Sequence, residues 1–175
     1  METHFVKLRP LIVADELSFR RAVDEFKAQE PDWPFAFHFD DSVAFPGYVR
    51  RLEGWSRGQD LPGNFVPNTF LVGVVGKMIV GRVSIRHELN AYLSKYGGHV
   101  GYGVVPSQRN RGYAGEMLRL TLPIAARLGI ARILVTCDED NIASRRVIEK
   151  TGGMFENVVQ EPGTGVFKRR YWIET

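Results

Sequence analysis

Residues 104–115, Val104-Val105-Pro106-Ser107-Gln108-Arg109-Asn110-Arg111-Gly112-Tyr113-Ala114-Gly115, carry the densest chemical signal in this 175-residue chain. An apolar run stops at a proline, a polar and basic loop follows, and an apolar helical pattern opens near Gly112. The first turn of a helix presents amide N–H groups without intrahelical partners and about half a positive charge, so it attracts anions. Gly112, Ala114 and Gly115 keep bulk away from an approaching phosphate, and Arg109 and Arg111 can add charge. Three phosphate patterns compete for this role. The pattern G-x-x-x-x-G-K-[ST] finds only a broken fragment at residues 73–78. The dinucleotide pattern G-x-G-x-x-G fails, because Pro106 stands where a glycine must follow Gly101 and Gly103. The pattern [RQ]-x-x-G-x-[GA] is met by Arg109 to Ala114, although a bare hexapeptide of this kind also describes an ordinary strand-to-helix turn.

A second cluster lies downstream. In Asp140-Asn141-Ile142-Ala143-Ser144, Asp140 or Asn141 caps a helix, and Ser144 falls one turn on from Asn141 along the same face. That helix closes at Glu149-Lys150-Thr151-Gly152-Gly153. His99 is either a general base, since an unperturbed imidazole titrates near neutrality, or a histidine packed between strands. His87 and Glu88 form a second candidate base, or Arg86, His87 and Asn90 bind the acceptor; the alternative is a solvated loop. Ser144 and Tyr171 are candidate proton donors. Cys137 is the only cysteine, which rules out an internal disulfide and a cysteine metal cluster; it fits a small buried residue better than a nucleophile, and no metal is expected.

The order of these pieces resembles the GCN5-related N-acetyltransferase (GNAT) superfamily, whose members carry R/Q-x-x-G-x-G/A, a strand, N-x-x-[SA] and a terminal K-x-G. The resemblance spans about residues 69–171 and is most specific between 98 and 153. Ser84-Ile85-Arg86-His87-Glu88-Leu89-Asn90, Gly97-Gly98-His99-Val100-Gly101-Tyr102 and Lys168-Arg169-Arg170-Tyr171-Trp172-Ile173 also resemble a bacterial subgroup of predicted acetyltransferases. The resemblance implies an α/β (α+β mixed) fold: one domain over residues 1–175, with a mixed, mostly antiparallel sheet of six to seven strands and helices on both faces. It implies acetyl-CoA as co-substrate. Arg109, Asn110, Arg111, Gly112, Tyr113, Ala114 and Gly115 would hold the pyrophosphate through backbone N–H groups. Gly103, Val104 and Val105 would pair with the pantetheine arm, one N–H polarising the thioester carbonyl. Asn141 would contact the same arm, with Ser144 beside it.

The implied reaction is direct attack by a primary amine of a small molecule or peptide in a ternary complex, without a covalent enzyme intermediate. A lysine-like amine has a pKa near ~10.4, so its proton must go elsewhere before it attacks. A positioned backbone donor at the developing oxyanion is worth ~3 kcal/mol. The branch that acetylates ribosomal-protein N-termini keeps a tyrosine acid seven residues after the asparagine and a glutamate base five before it. Ile148 and Thr136 occupy those places here. The histone branch keeps a glutamate where this chain has Gly98, next to His99. These departures support a second reading, a non-catalytic coenzyme A-binding module. The run Lys168-Arg169-Arg170-Tyr171-Trp172 suggests a third, a nucleic-acid-binding domain, although such a patch in an alternating strand is usually a solvated face. Members of the superfamily are often dimers, so a homodimer is among the expectations.

Composition sets the frame. Hydrophobic residues make up 44% and charged residues 25%, ordinary for a globular domain. The net charge of +3 is too small to argue for nucleic acid, and none is expected as a partner. Residues 1–10 lack a signal-peptide run and no stretch is apolar enough to span a bilayer, so a cytoplasmic protein without a membrane partner is expected. The patterning predicts a strand over 4–9, then a helix over 15–29 with Leu17, Ala22, Val23 and Phe26 on its stripe. Pro31-Asp32-Trp33-Pro34 breaks the chain, and a helix over 48–55 follows within an aromatic-rich stretch. Strands over 69–75 and 78–86 flank Gly76-Lys77, a hairpin turn with glycine first. A strand over 98–105 precedes a helix over 112–128, which Pro123 deprives of one backbone donor. A strand over 133–137 leads to the helix ending near 150, and strands over 155–160 and 166–173 turn at Glu161-Pro162-Gly163. Trp33, Phe35, Phe37, Phe39 and Phe45 line an acceptor groove or form core, the better fit for so many aromatics. Asp40-Asp41 either attracts a cationic amine or is a surface pair.

Overall fold

Period-two and period-3.6 patterns sort the chain into strands and helices that share one sheet. The structure is a computed structural model and describes residues 5–40 and 42–175. The strands are β1 (Lys7–Pro10), β2 (Asn68–Val75), β3 (Met78–Arg86), β4 (Val100–Val104), β5 (Arg132–Asp138), β6 (Met154–Gln160) and β7 (Phe167–Glu174). The helices are α1 (Glu16–Gln29), α2 (Phe45–Ser56), α3 (Tyr113–Arg127) and α4 (Ile142–Lys150). The strands form one sheet in the order β1-β2-β3-β4-β5-β7-β6. Every pairing is antiparallel except β4 with β5, which run parallel and meet at the single register pair Val100–Val135. The mostly antiparallel seven-stranded sheet is the expected one.

Both faces of the sheet are covered, which is why β2 and β3 are buried along almost their whole length. On one face, Met117 and Leu118 of α3 and Ile148 of α4 pack with Val83, Ile85, Ile133 and Val135. Gly73 and Gly81 let α3 settle close, since a β-carbon on either would lie within 2.6 Å of the Met117 side chain. On the other face, Phe19, Ala22, Val23 and Phe26 of α1 follow an i, i+3, i+4, i+7 stripe. They pack with Phe45, Tyr48, Leu52 and Trp55 of α2 and with Phe35, Phe70 and Val72.

The differences from expectation are local. Leu17 is 65% exposed and lies off the α1 stripe, whose apolar work falls to Phe19. Asp15 precedes the α1 helix; its carboxylate turns back to Arg9 (2.7 and 2.8 Å) and to the Ile12 N–H (3.0 Å). The first strand begins at Lys7, and the expected start at His4 lies outside the described residues, as does Asp41 of the acidic pair. Helix α2 starts three residues early because Pro46 sits in its first turn, where no amide donor is needed. Helix α3 runs through Pro123. The last hairpin closes through the longer stretch 161–166, in which Glu161 N–H donates to the Val166 carbonyl (2.8 Å).

Candidate functional site

Helix α3 opens without a side-chain cap. Gly112, at φ 81°, turns the chain into the helix, and Asn110 before it is also left-handed at φ 62°. The first backbone bond of the helix is Glu116 N–H to the Gly112 carbonyl (3.2 Å), so the amides of Tyr113, Ala114 and Gly115 precede it. Among the described residues, nothing beyond the adjoining chain lies within 4 Å of a β-carbon built on Gly112 or Gly115, so the cradle has room for a bulky anion.

This helix start closes one end of a groove of about 520 Å³. Its other walls are β4 at Tyr102, Gly103 and Val104, and α4 at Asn141, Ser144 and Arg146. Asn141 caps α4, its Oδ1 accepting from the Ser144 N–H (3.0 Å). The β4 edge is exposed to the groove for a topological reason. Arg86 N–H donates to the His99 carbonyl (2.7 Å) and Val105 N–H to the Val80 carbonyl (2.9 Å). Within β4 this antiparallel phase assigns the amides of 101, 103 and 105 to β3 and those of 102 and 104 to the opposite edge, while the His99 amide, ahead of the strand, donates to the Leu134 carbonyl of β5 (2.7 Å). Beyond Val100 the β5 strand diverges, so the Tyr102 and Val104 amides face the groove. Gly103 lines the groove but turns its amide toward β3, and the Val105 amide is spent on Val80. The β4 contribution expected from Gly103 and Val105 therefore passes to Tyr102 and Val104.

Arg109 also differs from expectation. Its guanidinium is paired with Glu30 (Nη2 to Oε1, 2.6 Å), donates to the Val104 carbonyl (3.3 Å) and lies near the Phe26 ring. It braces the loop against α1 and brings little free charge. Arg111 is exposed beside the groove without lining it, whereas Arg146, which the sequence reading passed over, does line it. Tyr102 is a second omission: its hydroxyl donates to the Ser144 carbonyl (3.3 Å), and burial pushes its pKa up to about 12.

Of the proposed proton carriers, only Ser144 is in this groove. His99 is buried between strands, its Nδ1 accepting from the Leu134 N–H (2.9 Å). That fixes the neutral tautomer with its proton on Nε2 and leaves no lone pair to act as a base. Burial first, and the nearby Arg86 charge second, pull its pKa down to about 4. The sign follows. The unfolded chain binds this proton near pH 6.5 and the folded chain does not, so the stability is present above 6.5 and is lost as pH falls toward 4. Urea midpoints taken across pH 4–7 are expected to fall with the uptake of about one proton. His99→Asn, which keeps an acceptor, is expected to flatten that dependence.

Tyr171 is fully buried, its hydroxyl donating to Glu149 Oε1 (3.1 Å) and accepting from Arg169 Nε (3.0 Å), away from the groove. Cys137 is buried, and desolvation raises its thiol to about 11, which suits a packed side chain. The basic run of β7 is charge-paired: Lys168 with Asp138 (2.5 Å), Arg169 with Glu139 (3.3 Å) and Arg170 with Glu156 (2.8 Å). It offers little free positive surface for a nucleic acid.

A cavity of about 770 Å³ opens on the face of the sheet covered by α1 and α2. Ser84, Arg86, Asn68 and Asn90 line it together with Phe37, His38, Phe65 and Tyr92. Arg86 Nη1 donates to the Gly97 and Gly98 carbonyls (2.9 and 3.2 Å). Asn90 is spent on structure, its amide nitrogen on the Asn64 carbonyl and its oxygen on the Leu93 N–H. His87 is not in the lining; its Nε2 meets Thr69 Oγ1 (2.8 Å), and burial lowers its pKa. Next to the cavity, Arg82 is buried and sandwiched between Trp33 (4.2 Å) and Phe37 (4.8 Å). It donates to the carbonyls of Pro34 (2.8 Å) and Gly101 (3.3 Å), and burial lowers its pKa to about 9, still a cation at neutrality. The Trp33 ring lies directly over Gly103, where a β-carbon would come within 2.4 Å of it. Trp33 faces the groove and Pro34 the cavity, so this segment divides the two. The aromatic stretch is thus partly core, at Phe35 and Phe45, and partly wall. Arg82, Ser84 and Arg86 share one face of β3 at period two, a polar alternation within an apolar strand that was readable in the sequence.

A family model for the acetyltransferase (GNAT) domain matches residues 7–154. Solved structures of similar fold include RimJ of Mycobacterium smegmatis in complex with CoA-disulfide, at 20% identity and a TM-score of 0.72, covering 97% of this chain and 82% of that one. The microcin C7 self-immunity acetyltransferase MccE, in complex with acetyl-CoA and AMP, is 17% identical with a TM-score of 0.71, covering 98% and 93%. An acetyltransferase from Salmonella typhimurium that modifies the N-terminal serine of ribosomal protein L7/L12 is 16% identical with a TM-score of 0.69, covering 99% and 96%. No curated protein matches the chain in sequence.

Proposed function

The chain belongs to the GNAT acetyltransferase family, and we propose that it acts as one domain, using acetyl-CoA to acetylate a primary amine by direct attack in a ternary complex. The observation that carries this reading is the continuity of donors along one groove. Two free β4 amides, Tyr102 and Val104, lead into the uncapped amides 113–115 of α3. The spacing suits an extended arm that ends in a diphosphate, and the open cradle at Gly112 and Gly115 fits that group.

Acetyl-CoA supplies an activated acyl group on a thiol leaving group. The chain's own residues do the rest. The amides 113–115, with Arg146 at the rim, hold the diphosphate. The Tyr102 amide is the donor placed to polarise the thioester carbonyl, a contribution of ~3 kcal/mol for one preorganised donor. Asn141 fixes the start of α4, and Ser144, in the first turn of that helix, relays a proton to the departing thiolate and regains one from solvent, which also takes up the proton shed by the attacking amine. Tyr102 steadies that turn through its bond to the Ser144 carbonyl. The acceptor amine enters from the 770 Å³ cavity beyond the Trp33–Pro34 divide, where Gly101 is the cross-strand partner of Ser84 and the neighbour of Tyr102.

Two measurements test the reading. Titration calorimetry should show binding of acetyl-CoA, and thiol release should follow when a panel of amines is added. Ser144→Ala is expected to lower kcat by about 100-fold with little change in the KM for acetyl-CoA. An unchanged kcat would assign the thiolate's proton to solvent. Binding without turnover across a broad panel would favour the coenzyme A-binding module.

A further inference from the structure

The cavity that faces the acetyl position has the wrong electrostatics for a cationic acceptor. Among the described residues, none in its lining is Asp or Glu. Its floor carries the Arg86 guanidinium, with that of Arg82 buried beside it, and among the described residues neither has a carboxylate partner. Burial lowers the pKa of both, and the Arg86 charge lowers that of Arg82 further. A buried charge without a counter-ion is costly, so its retention calls for a reason.

The geometry supplies one. The space above the Gly101 α-carbon is ringed by Arg86 Nη2, Ser84 Oγ and Arg82 Nη1, at 3.4, 3.5 and 3.6 Å from where a β-carbon would stand. Arg82 spends its terminal nitrogens on Pro34, Gly101 and Ser84, while its Nε is buried without a partner. Arg86 Nη1 is spent on two carbonyls, which aims the guanidinium and leaves Nη2 free toward the cavity. Asn68, only 4% exposed and in the cavity lining, has an Oδ1 without a donor, while its Nδ2 is tied to the Val66 carbonyl (3.2 Å). A positive, donor-rich floor and a single unfilled acceptor stand in one aromatic-walled chamber.

We infer that the acceptor is a small amine that itself carries an anionic group, a carboxylate or a phosphate, seated on Arg86 and Ser84 while its amine is presented toward the thioester with Asn68 Oδ1 as acceptor. This rests on the acetyl-CoA reading of the neighbouring groove. The same charges help the chemistry, because guanidiniums nearby disfavour the ammonium form and so ease loss of the proton that blocks attack. Polyamines and aminoglycosides are excluded by the same field.

The test compares matched pairs in the acetyl-CoA thiol-release assay: phenylalanine with phenylalaninamide, glutamate with its diamide, phosphoethanolamine with ethanolamine, and spermidine as the polycation. The anionic member of at least one pair is expected to have a kcat/KM tenfold or more above its neutral partner, and which pair responds separates carboxylate from phosphate. Arg86→Gln is expected to lower kcat/KM for the anionic amine about 100-fold, bringing the ratio near one, while acetyl-CoA affinity stays as in the wild type. If that variant does not fold, the wild-type ratio decides, together with competition by the amine-free acid hydrocinnamate against its alcohol. If acetyl-CoA binds but no amine turns over, calorimetry of the same pairs on the coenzyme A complex decides by the same ratio. Equal use of neutral and anionic amines, or preference for spermidine, overturns the inference and leaves the transferase reading intact. Failure to bind acetyl-CoA at all overturns that reading instead.

Discussion

Gly115→Asp is expected to make the protein more heat-stable and at the same time unable to hold coenzyme A. The two effects have opposite signs because they draw on the same helix start. Gly115 lies in the first turn of α3 at a φ that any residue adopts, with open space where a side chain would go. Replacing glycine inside a helix gains a few tenths of a kcal/mol, and an acidic side chain in the first turn gains about 0.3–1 kcal/mol from the helix dipole. For a chain of this size the sum raises Tm by about 2–4 °C. A diphosphate seated on the same amides meets a like charge within a few ångströms and loses its donors to it, so coenzyme A affinity is expected to fall about 100-fold or more. Gly115→Asn, of similar size without the charge, is expected to retain most of that affinity. Differential scanning calorimetry and titration calorimetry read the two effects separately. Undiminished coenzyme A binding by Gly115→Asp would show that the diphosphate sits elsewhere.

The second large effect is on the fold. Gly98 has φ 65° and ψ −178°, a region that only glycine populates comfortably. A β-carbon there would stand 2.5 Å from the Leu134 carbonyl oxygen. That atom is backbone of β5 and accepts the His99 N–H (2.7 Å), so it cannot swing aside. Gly98→Ala is therefore expected to destabilise by about 3–5 kcal/mol, combining backbone strain with a forced shift of β4 from β5. Urea unfolding monitored by tryptophan fluorescence measures it, and a loss under about 1 kcal/mol would contradict the geometry. The same position explains why a carboxylate base of the histone-branch kind has no place here: a glutamate at 98 has no room for its first carbon.

How far the chain was legible followed the range of the interaction. The uncapped start of α3 at Gly112 and the Asn141 cap were readable because each is a local device, written within a few residues of where it acts. The mostly antiparallel sheet with helices on both faces followed from element order and from resemblance. What the sequence concealed depended on partners brought from far along the chain. Arg109 reads as free charge until Glu30 of the first helix ends beside it. His99 reads as a base until β5 brings the Leu134 amide to its Nδ1. Trp33, within a proline-flanked turn, gives no hint that it will lie over Gly103. Arg82, Ser84 and Arg86 were the exception. Their alternation is local to β3 and marks one polar face, with the apolar residues between them serving the other.

The lone register pair between β4 and β5 has a mechanical consequence. Strands β1 to β4 form one leaf and β5, β7 and β6 the other, and on the α3 side Met117, Leu118, Ile133 and Val135 stretch across both. The spine of this book is glued by dispersion and apolar burial, with almost no ladder to unzip. The His99 N–H to the Leu134 carbonyl and the Leu134 N–H to His99 Nδ1 stitch only one end of that seam, so past it the leaves splay apart, and the gap is the space the proposed thioester arm would fill.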